Sequence, residues 1–185
     1  MLVYSMGASA DGFIADREGR FDWSEPDEEL FRFHLQQVEM LGGFLLGRKL
    51  YETMVVWETD ASLRDTPLGA AFADAWCALP KVVFSRTLTQ VQGHARLAQA
   101  SVADEVAVAL GSTDKDVGIG GAGLAATAIE LGLVDELSVF RHPIVVGGGT
   151  SFFPPVTEGL RLELVETAEF GSRVVYERYR CAPLS

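Results

Sequence analysis

Short apolar runs alternate with helix-patterned segments along most of the 185-residue chain, and this alternation constrains the fold more than any other feature. Leu2–Met6, Phe44–Leu46, Lys81–Phe84, Asp116–Ile119 and Leu137–Phe140 are too brief for helices and suit buried strands. Gly12–Ala15 continues or pairs with the first of them, and Ile144–Val146 reads as another β-rich run. Pro26 opens a helix whose first turn holds Asp27, Glu28 and Glu29, where carboxylates meet the positive helix end. Phe31, Leu35 and Val38 recur at helical spacing until Gly42-Gly43 stops the pattern. Further helices are predicted from near Arg48, over about 68–79, over 103–110, and over 123–131 up to Gly132. Leu162, Leu164, Val174 and Tyr176 then alternate with charged residues about Gly171-Ser172, the pattern of a hairpin. Strand–helix alternation followed by a hairpin predicts one α/β domain over residues 1–185. Its central sheet is mostly parallel, with helices on both faces and antiparallel strands at the C-terminal edge.

The net charge of −11 excludes a reader of phosphate backbones, which needs the opposite balance, so nucleic acid is not an expected partner. An anionic ligand would have to be held by a local basic cluster. Cys77 and Cys181 are far apart and carry no disulfide framework, which suggests a reducing compartment. With no basic leader and no long apolar segment, the expected location is the cytoplasm, with no membrane contact. His34, His94 and His142 stand alone in sequence, so no metal site is expected, and His142 reads as a strand-end residue.

The sharpest local feature is Gly118-Ile-Gly-Gly-Ala-Gly123, between a predicted strand and a predicted helix. Glycines let a backbone approach a diphosphate, and a helix start offers unpaired N–H groups. The run begins too late in the chain for a full Rossmann unit behind it, and a plain helix–strand packing turn is its alternative reading. Gly47-Arg48-Lys49 and Ser85-Arg86-Thr87 also follow predicted strands, where ligands of open α/β sheets bind. Each could be a solvated basic turn. With the glycine run, they describe one ligand bearing several phosphates, and three basic side chains favour NADPH over NADH.

Asp11-Gly-Phe-Ile-Ala15, Phe21-Asp-Trp23, Leu46 to Glu52, Val83 to Thr87, Gly120 to Leu124 and Gly132 to Glu136 occur in an order that resembles one family. It is the bacterial dihydrofolate reductase-like family related to the C-terminal reductase domain of the bifunctional riboflavin biosynthesis deaminase/reductase. Pro143, the Gly147–Gly149 run and Phe152-Phe153 fit the same pattern. The resemblance implies a dihydrofolate reductase-like three-layer fold, NADPH as cofactor and a homodimer. It implies phosphate contacts at Gly47, Arg48, Lys49, Ser85, Arg86 and Thr87, and a diphosphate cradle at Gly120, Gly121, Ala122, Gly123 and Leu124. It places Ile14 on the nicotinamide and Trp23 at the substrate cavity. Leu50 departs from the family, standing where many relatives carry Thr.

For catalysis, dihydrofolate reductases use a carboxylate on the helix after the Trp, and Glu28 stands at a comparable offset, with Asp11 as a second candidate. A carboxylate in that role should lie in a partly apolar cavity with a raised pKa. Alternatively Glu28 belongs to an ordinary acidic first turn, and Asp11-Gly12 is a turn dipeptide. The expected activity is hydride transfer from NADPH to a C=N or C=O carbon of a small heterocycle, such as a pterin or a ribosylaminopyrimidine. The chain lacks the H-x-E and P-C-x-x-C of a zinc deaminase, which favours a stand-alone reductase. A nucleotide-binding or sensing module without turnover, and a flavin-binding protein, are the alternatives. Trp57, Trp76, Phe72 and Phe44 read as core, and Asp135-Glu136 as a turn or a partner contact.

Overall fold

A computed structural model describes residues 1–182. In chain order the elements are β1 (Leu2–Ser9), β2 (Phe13–Ala15), α1 (Glu28–Glu39), β3 (Leu41–Gly47), α2 (Arg48–Met54), α3 (Val56–Thr59), α4 (Pro67–Ala78), β4 (Lys81–Phe84) and β5 (Ala95–Leu97). They continue with α5 (Val102–Gly111), β6 (Asp116–Gly120), α6 (Ala122–Glu130), β7 (Glu136–His142), β8 (Thr150–Ser151), β9 (Arg161–Glu169) and β10 (Val175–Ala182). Eight strands form the main sheet in the order β5-β4-β3-β6-β1-β7-β10-β9. It is parallel from β5 to β7, and β10 and β9 join antiparallel.

Alternation along the strands sends side chains to two cores. Leu45 joins Val117, Ile119 and the α5–α6 face through Val106, Ala125 and Ala128. Its neighbour Leu46 points the other way, to Leu35 of α1, Phe72 and Trp76 of α4, and Val83. Helices therefore cover both faces, and the three-layer dihydrofolate reductase-like architecture follows. Among the described residues no helix is long and apolar enough to cross a membrane.

Several expectations need correction. Gly42-Gly43 does not stop α1 but lies inside β3, because Met40 already closes the helix; Gly42 has no room for a side chain against Thr113. Ile144–Val146 forms no strand: Ile144 O accepts from Ala10 N, and Val146 N donates to the Asp11 carboxylate. The last hairpin, by contrast, turns at Gly171-Ser172 as expected, with Arg173 N donating to Phe170 O at 2.8 Å and Arg173 itself taking a left-handed φ of 63°. Glu136 belongs to no exposed turn but opens β7, and both carboxylates are engaged within the chain. Asp135 accepts from Leu2 N at 2.7 Å, and Glu136 is 1% exposed, with Arg178 of β10 at 2.6 Å.

Candidate active site

The C-terminal ends of the parallel strands carry the loops singled out above. At the end of β6, Gly121 has φ +92° and serves as the N-cap of α6 without a side-chain cap. A Cβ there would lie 3.3 Å from Gly47 Cα, so two backbones meet where β3 and β6 end. Around Gly123 a side chain would find open space. The first N–H groups of α6 consequently face outward, unpaired within the helix. Leu124 contributes only its backbone to this rim, since its side chain is buried in the core. Gly120 is not part of an open cradle: a Cβ there would strike Leu50 at 2.3 Å and Phe44 at 3.1 Å. The bulk of Leu50 is thus taken up by the bare backbone beneath it. Gly121→Ala should cost about 1–3 kcal/mol of stability from the positive-φ backbone alone. Urea unfolding checks this, and wild-type stability would refute the packing described.

Arg48 and Lys49, adjacent in sequence, diverge. The Arg48 guanidinium donates to Thr87 Oγ1 at 2.7 Å and to Glu52 Oε1 at 2.7 Å, which draws it to the loop after β4. Ser85 Oγ accepts from the amides of Thr87 and Leu88 at 3.1 and 3.0 Å and shapes that loop, while Arg86 is exposed. Lys49 faces the other side, where it lines an open cavity of about 480 Å³ with Asp16, Arg17, Glu18, Gly19, Gly149 and Thr150. Ile14 stands half-buried on β2, which pairs with β8 over this region.

Neither predicted catalytic carboxylate occupies a cavity suited to proton donation. Glu28 has a side chain 79% exposed and pairs with Arg32 at 2.8 Å, one turn along the helix. Its neighbours are also engaged, because Asp27 caps α1 by accepting from Leu30 N and Glu29 accepts from Gly171 N. Asp11 is a clamp. It accepts from Ser9 Oγ at 2.6 Å, from Gly147 N at 2.7 Å and from Val146 N at 3.2 Å. The Ser9 hydroxyl first, and then these amides, hold its carboxyl below the usual aspartate range. It stays ionised and pins the loop after β1 to the Gly147–Gly149 run.

Trp23 lies in a 3-10 turn before α1, half-buried, with its indole Nε1 buried and without a hydrogen-bond partner. Its ring meets His142 edge-on at 5.6 Å between centroids. From α1, His34 packs on Phe140 at 4.5 Å. The sequence places His142 at a strand end, as the structure has it, and assigns neither histidine to the site. The available signals were the place of His34 one helical turn after the buried Leu30, and that of His142 at the end of a ligand-side strand.

The family model of the RibD C-terminal domain matches residues 1–176. The chain belongs to the RibD C-terminal domain family. It is 31% identical over 179 residues to the uncharacterized protein YyaP of Bacillus subtilis (strain 168), covering 94% of this chain and 91% of YyaP. Among solved structures, a Shewanella sp. PV-4 protein provisionally assigned to riboflavin biosynthesis is similar, with a TM-score of 0.74 and 23% identity over 98% of this chain and 99% of its own. The dihydrofolate reductase of Enterococcus faecalis, complexed with NADP(H) and RAB-propyl, gives a TM-score of 0.65 and 19% identity, covering 99% of this chain and 97% of that one. The family resemblance drawn from the sequence therefore holds over nearly the whole chain.

Proposed function

We propose that this chain is an NADPH-dependent reductase of a small heterocyclic compound. The observation that carries the reading is the meeting of the Gly121 turn with Gly47 beside the Arg48–Thr87 brace, at the ligand side of the sheet. A strip of backbone without side chains, an outward-facing helix start and a guanidinium already turned toward a hydroxyl loop fit a dinucleotide diphosphate with a further phosphate. The E. faecalis dihydrofolate reductase, which has this fold, is complexed with NADP(H), in keeping with the reading.

In this assignment the amides of Ala122, Gly123 and Leu124 hold the diphosphate. Arg48, Arg86, Ser85 and Thr87 hold the adenosine side, and Lys49 and Ile14 border the nicotinamide side. When bound, NADPH supplies the hydride for a C=N or C=O carbon. The protein orients the substrate, excludes water through the Asp11-pinned loop and confines the ring beside Trp23. A binding or sensing role without turnover is the second reading, favoured by the engagement of Asp11 and Glu28 elsewhere.

Arg48→Ala and Arg86→Ala should each weaken NADPH binding by about 1–3 kcal/mol, the worth of a lost charge-assisted phosphate contact, and should affect NADH much less. Titration by nicotinamide fluorescence measures both. Equal loss for the two nucleotides would remove the 2′-phosphate assignment, and unchanged NADPH affinity in both variants would remove the site.

A further inference from the structure

Arg48 and Glu52 form an ion pair one turn apart on α2, and its order runs against the helix. A cation placed before its anion at this spacing is the weaker arrangement, since each charge then faces the like end of the helix dipole. Both side chains are half-exposed, where such a pair adds little stability. Helix stability therefore does not account for Glu52. Its effect falls on the direction of the guanidinium.

Glu52 Oε1 accepts from Arg48 Nε at 2.7 Å, and Thr87 Oγ1 accepts from Arg48 Nη1 at 2.7 Å. Two bonds through different nitrogens fix a planar fork that would otherwise sample many rotamers. Among the described residues Nη2 makes no hydrogen bond, so its N–H groups remain for a ligand. A guanidinium never accepts, which makes Thr87 the acceptor in its contact with Arg48. Ser85 Oγ already accepts from the amides of Thr87 and Leu88, and these fill its lone pairs. In the 3.5 Å contact between the two hydroxyls Ser85 is therefore the donor. Both lone pairs of Thr87 are then taken, and its own hydrogen is left for a ligand. The brace thus turns an amphoteric hydroxyl into a donor, beside a guanidinium nitrogen that also only donates. A phosphomonoester, rich in acceptor oxygens and ionised near neutral pH, matches this set. A free ribose hydroxyl finds no acceptor for its hydrogen among Ser85, Thr87 and Arg48.

We propose that Glu52 is a positioning residue for the phosphate loop. By holding Arg48 against Thr87 it directs the donors of both, and makes this end of the site selective for a phosphomonoester over a hydroxyl. Glu52 itself does not touch the ligand. The inference rests on the reductase reading for the identity of the nucleotide, and its test uses fragments that carry no nicotinamide.

The probes are adenosine 2′,5′-bisphosphate and adenosine 5′-monophosphate, which differ only in the 2′-phosphate. Each is titrated calorimetrically into the full-length protein, and the Arg48 Nε–H signal is followed by NMR without nucleotide. Glu52→Ala should weaken the bisphosphate about fivefold, the effect of having to order one freed arginine side chain on binding, and leave the monophosphate unchanged. Glu52→Gln, whose amide oxygen still accepts from Nε, should bind the bisphosphate within about twofold of wild type. A purely helical role for Glu52 would lower stability without moving the ratio of the two affinities. Exchange of the Arg48 Nε–H with water should be slow in the wild type and in Glu52→Gln, and fast in Glu52→Ala. Bisphosphate affinity in Glu52→Ala that matches or exceeds wild type, equal loss for both probes, or fast Nε–H exchange in the wild type would overturn the proposal. If the bisphosphate behaves as expected but NADPH does not bind, the reductase reading falls and the positioning role of Glu52 stands.

Discussion

Glu58→Gln should lower the free energy of unfolding by about 3–5 kcal/mol, because it removes one member of a buried ion pair. Lys81 Nζ lies 3.0 Å from Glu58 Oε1, and the two side chains are 1% and 8% exposed. The ammonium also donates to Leu79 O at 2.9 Å and stands 5.0 Å from the centre of the Trp76 ring. These contacts orient it without neutralising it. Glutamine preserves the shape of Glu58 and leaves the Lys81 charge without a counterion in a closed place. Room for the carboxylate is itself contingent on Gly93, where a Cβ would fall 1.2 Å from Glu58 Oε2. A second substitution, Lys81→Met, made in the Glu58→Gln background, should restore most of the loss, since an apolar chain needs no partner. Urea unfolding of the three variants decides this. A single variant within about 1 kcal/mol of wild type, or a double variant no better than the single, would show that the pair is not what holds α3 to β4.

Between pH 6.5 and 4 the protein should lose about 3 kcal/mol of stability through His34 alone. Burial first, and the neighbouring His142 second, push its folded-state value from 6.5 to about 4. The unfolded chain then binds more protons than the folded one throughout this window, so stability falls as pH falls and is complete above the unfolded value. His142, lowered in the same direction by burial, adds to the same window. Glu105 acts lower on the scale. Arg96, then the Gln99 and Ala100 amides, hold Glu105 down to about 2, so its contribution persists until pH drops below the ordinary glutamate range. His34→Leu should therefore flatten the dependence of stability on pH between 6.5 and 4 and leave acid unfolding below 4.5 in place. Equilibrium unfolding at stepped pH checks this, and an unchanged slope in the variant would show that His34 is not the group responsible.

Much of the fold was legible because the strand signals are local. Phe44–Leu46 and Lys81–Phe84 declare themselves by length and composition, and the glycine run marks the approach of β3 to β6. By contrast β5 and β8, with three and two residues, are too short to show any period, and their pairing is fixed by neighbours. Acidic residues misled for a different reason. From sequence Asp11 and Glu28 are only carboxylates in suggestive places, but the amides of Val146 and Gly147 that engage Asp11 come from 135 and 136 residues away. Glu136 was opaque in the same way, since Arg178 neutralises it from a strand that closes the sheet much later. Arg48 and Thr87 do follow strand ends, where the sequence places them, although nothing in the adjacency of Arg48 and Lys49 tells that they part company.

The position of β1 has a consequence in time. β1 lies between β6 and β7, and its register begins with Leu2 against Val117 and Val3 against Glu136. During synthesis Leu2 and Tyr4, both fully enclosed at the end, have no sheet to join until most of the polypeptide has emerged. Such long-range pairing makes for slow folding, because the intervening loop must close before any contact repays it. A cell making this protein must keep the nascent β1 out of trouble until β6 and β7 have followed it off the ribosome.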